Sequence, residues 1–223
     1  MHKFKNYIFD MDGTLINSSE EVLKCFKQAF KEAKYEIDTA KLTSDVIGPP
    51  LRQIIDLIAP DLVDEEKINE IISNFRRIYD YSEDDVSVMY SGIYDLLVNL
   101  KKLNYKLFIA TFKPNIPTLR LIKKFGLESF FENIYTIDKF GTKITKEEMI
   151  TDILKSHNLK REETVMIGDA KSDMIAAKGA GVVGIGVLWG YGSDKEPLKQ
   201  NSDLVVKDVK ELEKCLKLNC QTI

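Results

Sequence analysis

Short apolar runs recur along this chain, each broken off by an acid, a hydroxyl or a glycine. They are Phe4 to Phe9, Tyr105 to Thr111, Asn133 to Ile137, Thr164 to Gly168 and Val182 to Val187. A sixth run, Asp203 to Val206, is shorter and reads as an edge. Runs of this kind, apolar at nearly every position, predict strands buried on both faces. Between them, apolar residues fall at helical spacing over Tyr94 to Leu103, Ile116 to Phe125, Lys146 to His157 and Ser172 to Ala180. Strands that alternate with helices join through crossovers, so the pattern predicts an α/β fold: a Rossmann-like parallel sheet with helices on both faces.

The alternation fails between Ser18 and Ser82. Ser18 with Glu21 three residues on has the form of a capping box. Val22, Phe26, Ala29 and Ala33 then repeat at helical spacing, with Cys25 and Phe30 widening the stripe. After Gly48-Pro49-Pro50 come two further helical patterns, Leu51 to Ile58 and Glu65 to Tyr81. A stretch this long and this periodic is a folding unit rather than a loop. The expected organisation is an α/β domain built from residues 1–15 and 84–223, with a helical domain over 16–83 inserted after the first strand.

Composition adds mainly exclusions. The 223 residues are 44% hydrophobic and 30% charged, with a net charge of -3, which is ordinary globular usage with no basic excess to suit nucleic acid. Lys24, Lys27, Lys31 and Lys34 read as a solvated helix face. Cys25, Cys215 and Cys220 have no metal-ligand spacing and form no disulfide framework. No apolar run has the length to span a bilayer, and Asp10 and Asp12 interrupt the N-terminal one at once. A cytoplasmic protein with neither a nucleic-acid nor a membrane partner is expected; its oligomeric state is not readable.

Candidate chemistry gathers where apolar runs end. Asp10-Met11-Asp12-Gly13-Thr14 places two carboxylates just past a buried strand, where a bound proton or a cation is needed to offset them. By itself the pair reads equally as an acidic turn. Val165-Met166-Ile167-Gly168-Asp169 repeats the motif, with Asp173 four residues later at a helix start. Parallel strands bring such ends to one sheet edge, the usual ligand site of this fold class. Carboxylates collected there describe a hard-cation site, for which Mg²⁺ is the natural occupant. Thr111, ending its strand, and Lys146, opening its helix, are candidates to hold an anion; Lys139 and Lys143 lie close enough in sequence to compete with Lys146.

Asp10-Met11-Asp12-Gly13-Thr14-Leu15, Thr111, Lys146 and Gly168-Asp169 with Asp173 occur in this order. They resemble the four sequence motifs of the haloacid dehalogenase superfamily. The helical insertion resembles that family's small cap domain, and Ile185 to Ser193 resembles its phosphoglycolate phosphatase branch. The resemblance implies a Mg²⁺-dependent phosphatase acting on a small phosphorylated metabolite, phosphoglycolate being the first guess, through an aspartyl-phosphate on Asp10. It makes Asp12 the general acid and then base, and gives Thr111 and Lys146 the phosphoryl group. It assigns Mg²⁺ to Asp10, the Asp12 backbone carbonyl and Asp169, with Asp173 in support. Thr111 is followed by Phe112-Lys113, where many relatives carry asparagine and then lysine, so a different phosphate cradle is expected. Asp12 argues against dehalogenation, since a departing halide needs no proton. A phosphomutase of the β-phosphoglucomutase type and a phosphate-binding regulatory protein without turnover are the alternatives. Arg52, after Gly48-Pro49-Pro50, is the candidate reader of a second anionic group on the substrate.

Overall fold

The computed structural model describes residues 4–83, 85–139, 144–191 and 194–216. The chain divides into two compact units, one of Met1–Ile16, Met89–Gly190 and Asp194–Ile223, the other of Asn17–Val88 with Tyr191–Ser193.

In chain order, β1 (Asn6–Phe9) is followed by β2 (Ile16–Asn17), α1 (Ser19–Glu32), α2 (Leu51–Ile58), α3 (Glu65–Asp80) and β3 (Val88–Met89). Then come α4 (Ile93–Lys102), β4 (Lys106–Thr111), α5 (Asn115–Lys124), β5 (Asn133–Thr136), α6 (Lys146–Ser156) and β6 (Thr164–Gly168). The chain continues through α7 (Lys171–Ala180), β7 (Val183–Val187), α8 (Glu196–Asn201), β8 (Leu204–Val206) and α9 (Val209–Cys215).

The first unit is built on a six-stranded sheet of order β5-β4-β1-β6-β7-β8, parallel throughout. Alternate residues of the apolar strands enter different layers. Tyr7 and Phe9 join Leu107, Ile109, Val165 and Ile167 beneath α4, α5 and α9. Ile8 joins Phe108 and Met166 beneath α6, α7 and α8. Burial on both faces is why these strands read as continuous apolar runs rather than alternating ones. The connections leave β1 toward β4 on one side and toward β6 on the other, so the order reverses at β1. The ends of β1, β4 and β6 therefore open at one switch point.

The second unit packs α1, α2 and α3 around Phe26, Phe30, Ile55, Ile58, Ile68 and Ile71. Phe26 stacks on Phe75 with ring centroids 4.2 Å apart. The capping box expected at Ser18 and Glu21 does not form. The Ser18 side chain makes no capping bond; its amide donates to the Tyr191 hydroxyl at 2.6 Å. Glu21 is fully buried and accepts from the Ser82 hydroxyl at 2.5 Å and the Val86 amide at 3.3 Å. A buried carboxylate needs donors, and the returning segment supplies better ones than the helix start. The two-stranded pairing of β2 with β3 was not expected either, since two-residue strands leave no periodic trace. Among the described residues no helix is long and apolar enough to cross a membrane, and Cys25 and Cys215 are free thiols.

Candidate active site

The site lies within the first unit, where β1 runs out into its turn. The Asp10 amide still bonds the Ile167 carbonyl of β6 at 2.9 Å, which carries the ladder one residue past the strand and fixes the side chain at the sheet's carboxyl edge. The chain then folds back at once: the Met11 carbonyl accepts from Leu15 at 2.9 Å and Ile16 at 3.0 Å. Gly13, at φ +81°, takes the left-handed conformation that this reversal needs and that other residues disfavour.

Asp169 follows β6 directly. Its carboxylate accepts from the Thr14 hydroxyl at 3.2 Å and is pressed against the backbone of Gly13 and Gly190, where any Cβ would overlap it. The Trp189 indole N–H in turn donates to the Thr14 carbonyl at 3.1 Å. Asp173, in the first turn of α7, is fully buried and accepts from the Ala170 amide at 3.0 Å, as an acid at a helix N-terminus does.

Lys146 is set by the start of α6. Thr145 and Glu148 form a capping box that fixes the first turn, and the lysine at its opening points inward. Its Nζ donates to Asp10 Oδ1 at 2.8 Å and Asp173 Oδ1 at 2.5 Å, with the side chain only 5% exposed. On the other side, Lys113 donates to Asp12 Oδ2 at 2.8 Å and Oδ1 at 3.1 Å, and its amide donates to the Thr111 hydroxyl at 3.2 Å. Two buried lysines thus take one acid each of the Asp10/Asp12 pair.

Charge is far from balanced. Asp10, Asp169 and Asp173 offer carboxylate oxygens within 4.8 Å of one another. Burial pushes the Asp10 carboxyl up to about 7; Lys146 pulls it down but does not cancel burial, and Asp173 pushes it further up. Burial works against the Lys146 charge, yet Asp10 and Asp173 together hold that group above the ordinary lysine range. Lys146 therefore stays charged while Asp10 titrates. Three converging carboxylates, one of them driven toward neutrality, are the donor set a hard divalent cation takes. The residues present fit Mg²⁺.

The structure brings Asp10, Asp169, Asp173 and Lys146 into direct contact or close approach, with Asp12 beside them on Lys113. Thr111 ends β4 buried, its oxygen occupied by the Lys113 amide. Asp12 is not in the carboxylate triplet. Lys139 bonds the Asn133 side chain and lies over Tyr135; Lys143 lies outside the described residues. Arg52, in the second unit, is held by Asp56 at 3.1 Å and Glu65 at 2.6 Å, so acids of its own unit hold the guanidinium expected to meet a substrate anion. The sequence singled out neither the Lys113–Asp12 pair nor the Thr14–Asp169 bond as contacts. Lys113 stands out from a surface lysine in lying two residues past a strand-end hydroxyl.

A model of the family described as haloacid dehalogenase-like hydrolase matches residues 7–187. The chain is 32% identical over 196 residues to a 5'-nucleotidase of Pseudomonas aeruginosa, covering 87% of each. It is 30% identical over 214 residues to the pyrophosphatase PpaX of Listeria monocytogenes, covering 94% of this chain and 95% of that one. A solved haloacid dehalogenase-like hydrolase of Streptococcus pneumoniae superposes with a TM-score of 0.84 at 27% identity, covering 95% of this chain and 98% of that chain.

Proposed function

This chain belongs to the haloacid dehalogenase-like hydrolases, and we propose that it is a Mg²⁺-dependent phosphatase of small phosphate compounds, with Asp10 as nucleophile. The observation that carries the reading is the buried Asp10 carboxylate bonded to Lys146 within the triplet completed by Asp169 and Asp173. Names among the relatives, a 5'-nucleotidase and a pyrophosphatase, support phosphate-bond hydrolysis and leave phosphoglycolate as one substrate among several. The inserted helical domain, expected over residues 16–83 and falling in the compact unit Asn17–Val88, is read as the cap.

In this reading Lys146 and the Thr111 hydroxyl hold the non-bridging phosphoryl oxygens. Asp10, Asp169 and the Asp12 carbonyl, with Asp173 in support, would hold a divalent cation, which would supply positive charge between carboxylate and phosphate. Asp10 attacks phosphorus, the bond to the leaving oxygen breaks, and that oxygen takes its proton from Asp12. Asp12 then removes a proton from water, whose oxygen attacks the phosphorus of the acyl phosphate. The bond to Asp10 breaks, releasing inorganic phosphate and restoring the Asp10 carboxylate and the protonated Asp12 carboxyl. Lys146 acts throughout as a fixed charge that needs no reorganisation.

The test is phosphate release from phosphoglycolate, a nucleoside 5'-monophosphate and pyrophosphate, with Mg²⁺ and with chelator, for the natural protein and Asp10→Asn. Release that needs Mg²⁺ and is lost in Asp10→Asn is expected. Undiminished release by Asp10→Asn would overturn the assignment of the nucleophile.

A further inference from the structure

The ammonium that meets the nucleophile has a third neighbour that carries no charge. Lys146 Nζ donates to Asp10 Oδ1 at 2.8 Å and to Asp173 Oδ1 at 2.5 Å, and it lies 5.1 Å from the centre of the Phe112 ring. That is within the roughly 6 Å at which an aromatic face attracts a cation. Phe112 directly follows Thr111, the last residue of β4. It is half-buried and packs against the layer that holds Phe108, Tyr135 and Met149. The core therefore sets the place of the ring, and the ring borders the lysine.

We propose that Phe112 is a positioning residue for phosphoryl transfer, its ring face holding the Lys146 ammonium in place beside Asp10. The proposal rests on the reading of Asp10 as nucleophile and adds to it a residue that acts through Lys146.

Charge explains why an aromatic ring suits this position. Two carboxylates alone leave the ammonium drawn between Asp10, just past β1, and Asp173 on α7, the shorter bond being to Asp173. A drift toward Asp173 would take the positive charge away from the carboxylate that attacks phosphorus. A third acid would hold the ammonium, but it would also repel an incoming phosphate. An aliphatic side chain would exclude water as well as the ring does, yet offer no attraction. The quadrupole of the ring attracts the ammonium without adding net charge. Little water competes, since the Lys146 side chain is only 5% exposed, and cation–ring attraction is larger where the cation is desolvated. An ammonium has three N–H donors; two go to Asp10 and Asp173, and one is left for a phosphoryl oxygen. Held on three sides, the charge meets that oxygen without rearranging, which is what electrostatic preorganisation requires.

The experiment replaces Phe112 in two series. Phe112→Leu keeps an apolar side chain without a π face, and Phe112→Tyr keeps the face. Phenylalanines with one, two and three ring fluorines weaken the face progressively at nearly constant shape. kcat and KM are measured with saturating Mg²⁺ on whichever of pyrophosphate, phosphoglycolate and a nucleoside 5'-monophosphate is turned over fastest. The expected result is a stepwise fall in kcat along the fluorinated series, with KM changing less. Phe112→Leu should lose about 2- to 30-fold in kcat, and Phe112→Tyr should keep most of it. A side chain that only fills space would give a flat series. A double-mutant cycle of Phe112→Leu with Lys146→Met, read by urea unfolding in chelator, should show coupling of about 2- to 30-fold in the unfolding equilibrium constant. A flat fluorinated series in a protein that turns over, or no coupling in the cycle, overturns the proposal and leaves the nucleophile standing. No turnover of any substrate by the natural protein overturns the phosphatase reading, and the proposal with it.

Discussion

Replacing the proposed nucleophile is expected to stabilise the metal-free protein at neutral and higher pH. Burial lifts the Asp10 carboxyl from 3.8 to about 7, so the folded state binds a proton that the unfolded chain has already released. By linkage, stability from this group is fully present at low pH and drains away as pH rises toward 7. At about 1.4 kcal/mol per pH unit the full titration amounts to about 4 kcal/mol, of which about 2 to 3 kcal/mol falls between pH 5 and 8. Asp10→Asn keeps the shape and an acceptor for Lys146 but cannot ionise. Urea unfolding in chelator can be followed through Trp189, the single tryptophan, which packs against the core of the first unit. The natural protein should lose stability across that range, whereas Asp10→Asn should lose less and exceed it at pH 8. Mg²⁺ should flatten the natural profile by supplying the missing charge. A flat profile in chelator, or an equal slope in Asp10→Asn, would refute the placement of Asp10 as a buried, under-compensated carboxylate.

Thr14→Val removes the hydroxyl that orients Asp169; Mg²⁺ affinity by calorimetry should fall about 10- to 100-fold, the usual effect of losing a partner of a metal ligand. Gly190→Ala places a methyl group where the Asp169 carboxylate lies, and the rise in melting temperature on adding Mg²⁺ should disappear. Glu21→Ala strands the Ser82 hydroxyl and the Val86 amide; a loss of about 1 to 3 kcal/mol is expected, with faster proteolysis between Ser82 and Val88.

Local pattern carried much of the fold. Each strand of the six-stranded sheet lies within one or two residues of its apolar run, because the central strands are buried on both faces and apolar at nearly every position, and all six are short enough to be seen whole. The four acids and Lys146 could be picked out for a related reason: a charged residue at the end of an apolar run, or at the opening of a helix, breaks a local rule. Helix ends were less legible. Ser18 and Glu21 have the spacing of a capping box, yet Glu21 turns inward to Ser82 and Val86, because donors far along the chain compete with those beside it.

Tertiary structure alone decided which groups share a proton, a hydrogen bond or a charge. Thr14 meets Asp169 across 155 positions, and Lys113 meets Asp12 across 101. Neither contact has a period or a spacing, since each exists only because parallel pairing sets β4 and β6 on either side of β1. The same packing distinguishes Lys146 from Lys139: both are lysines in one stretch of chain, but only the helix start at Thr145 turns its neighbour into the site. Sequence determined the strands, the inserted helical unit and the inventory of acids, through rules that act over a few residues. Partnership among those acids and their lysines, and hence the electrostatics of the site, came from the order of strands in the sheet.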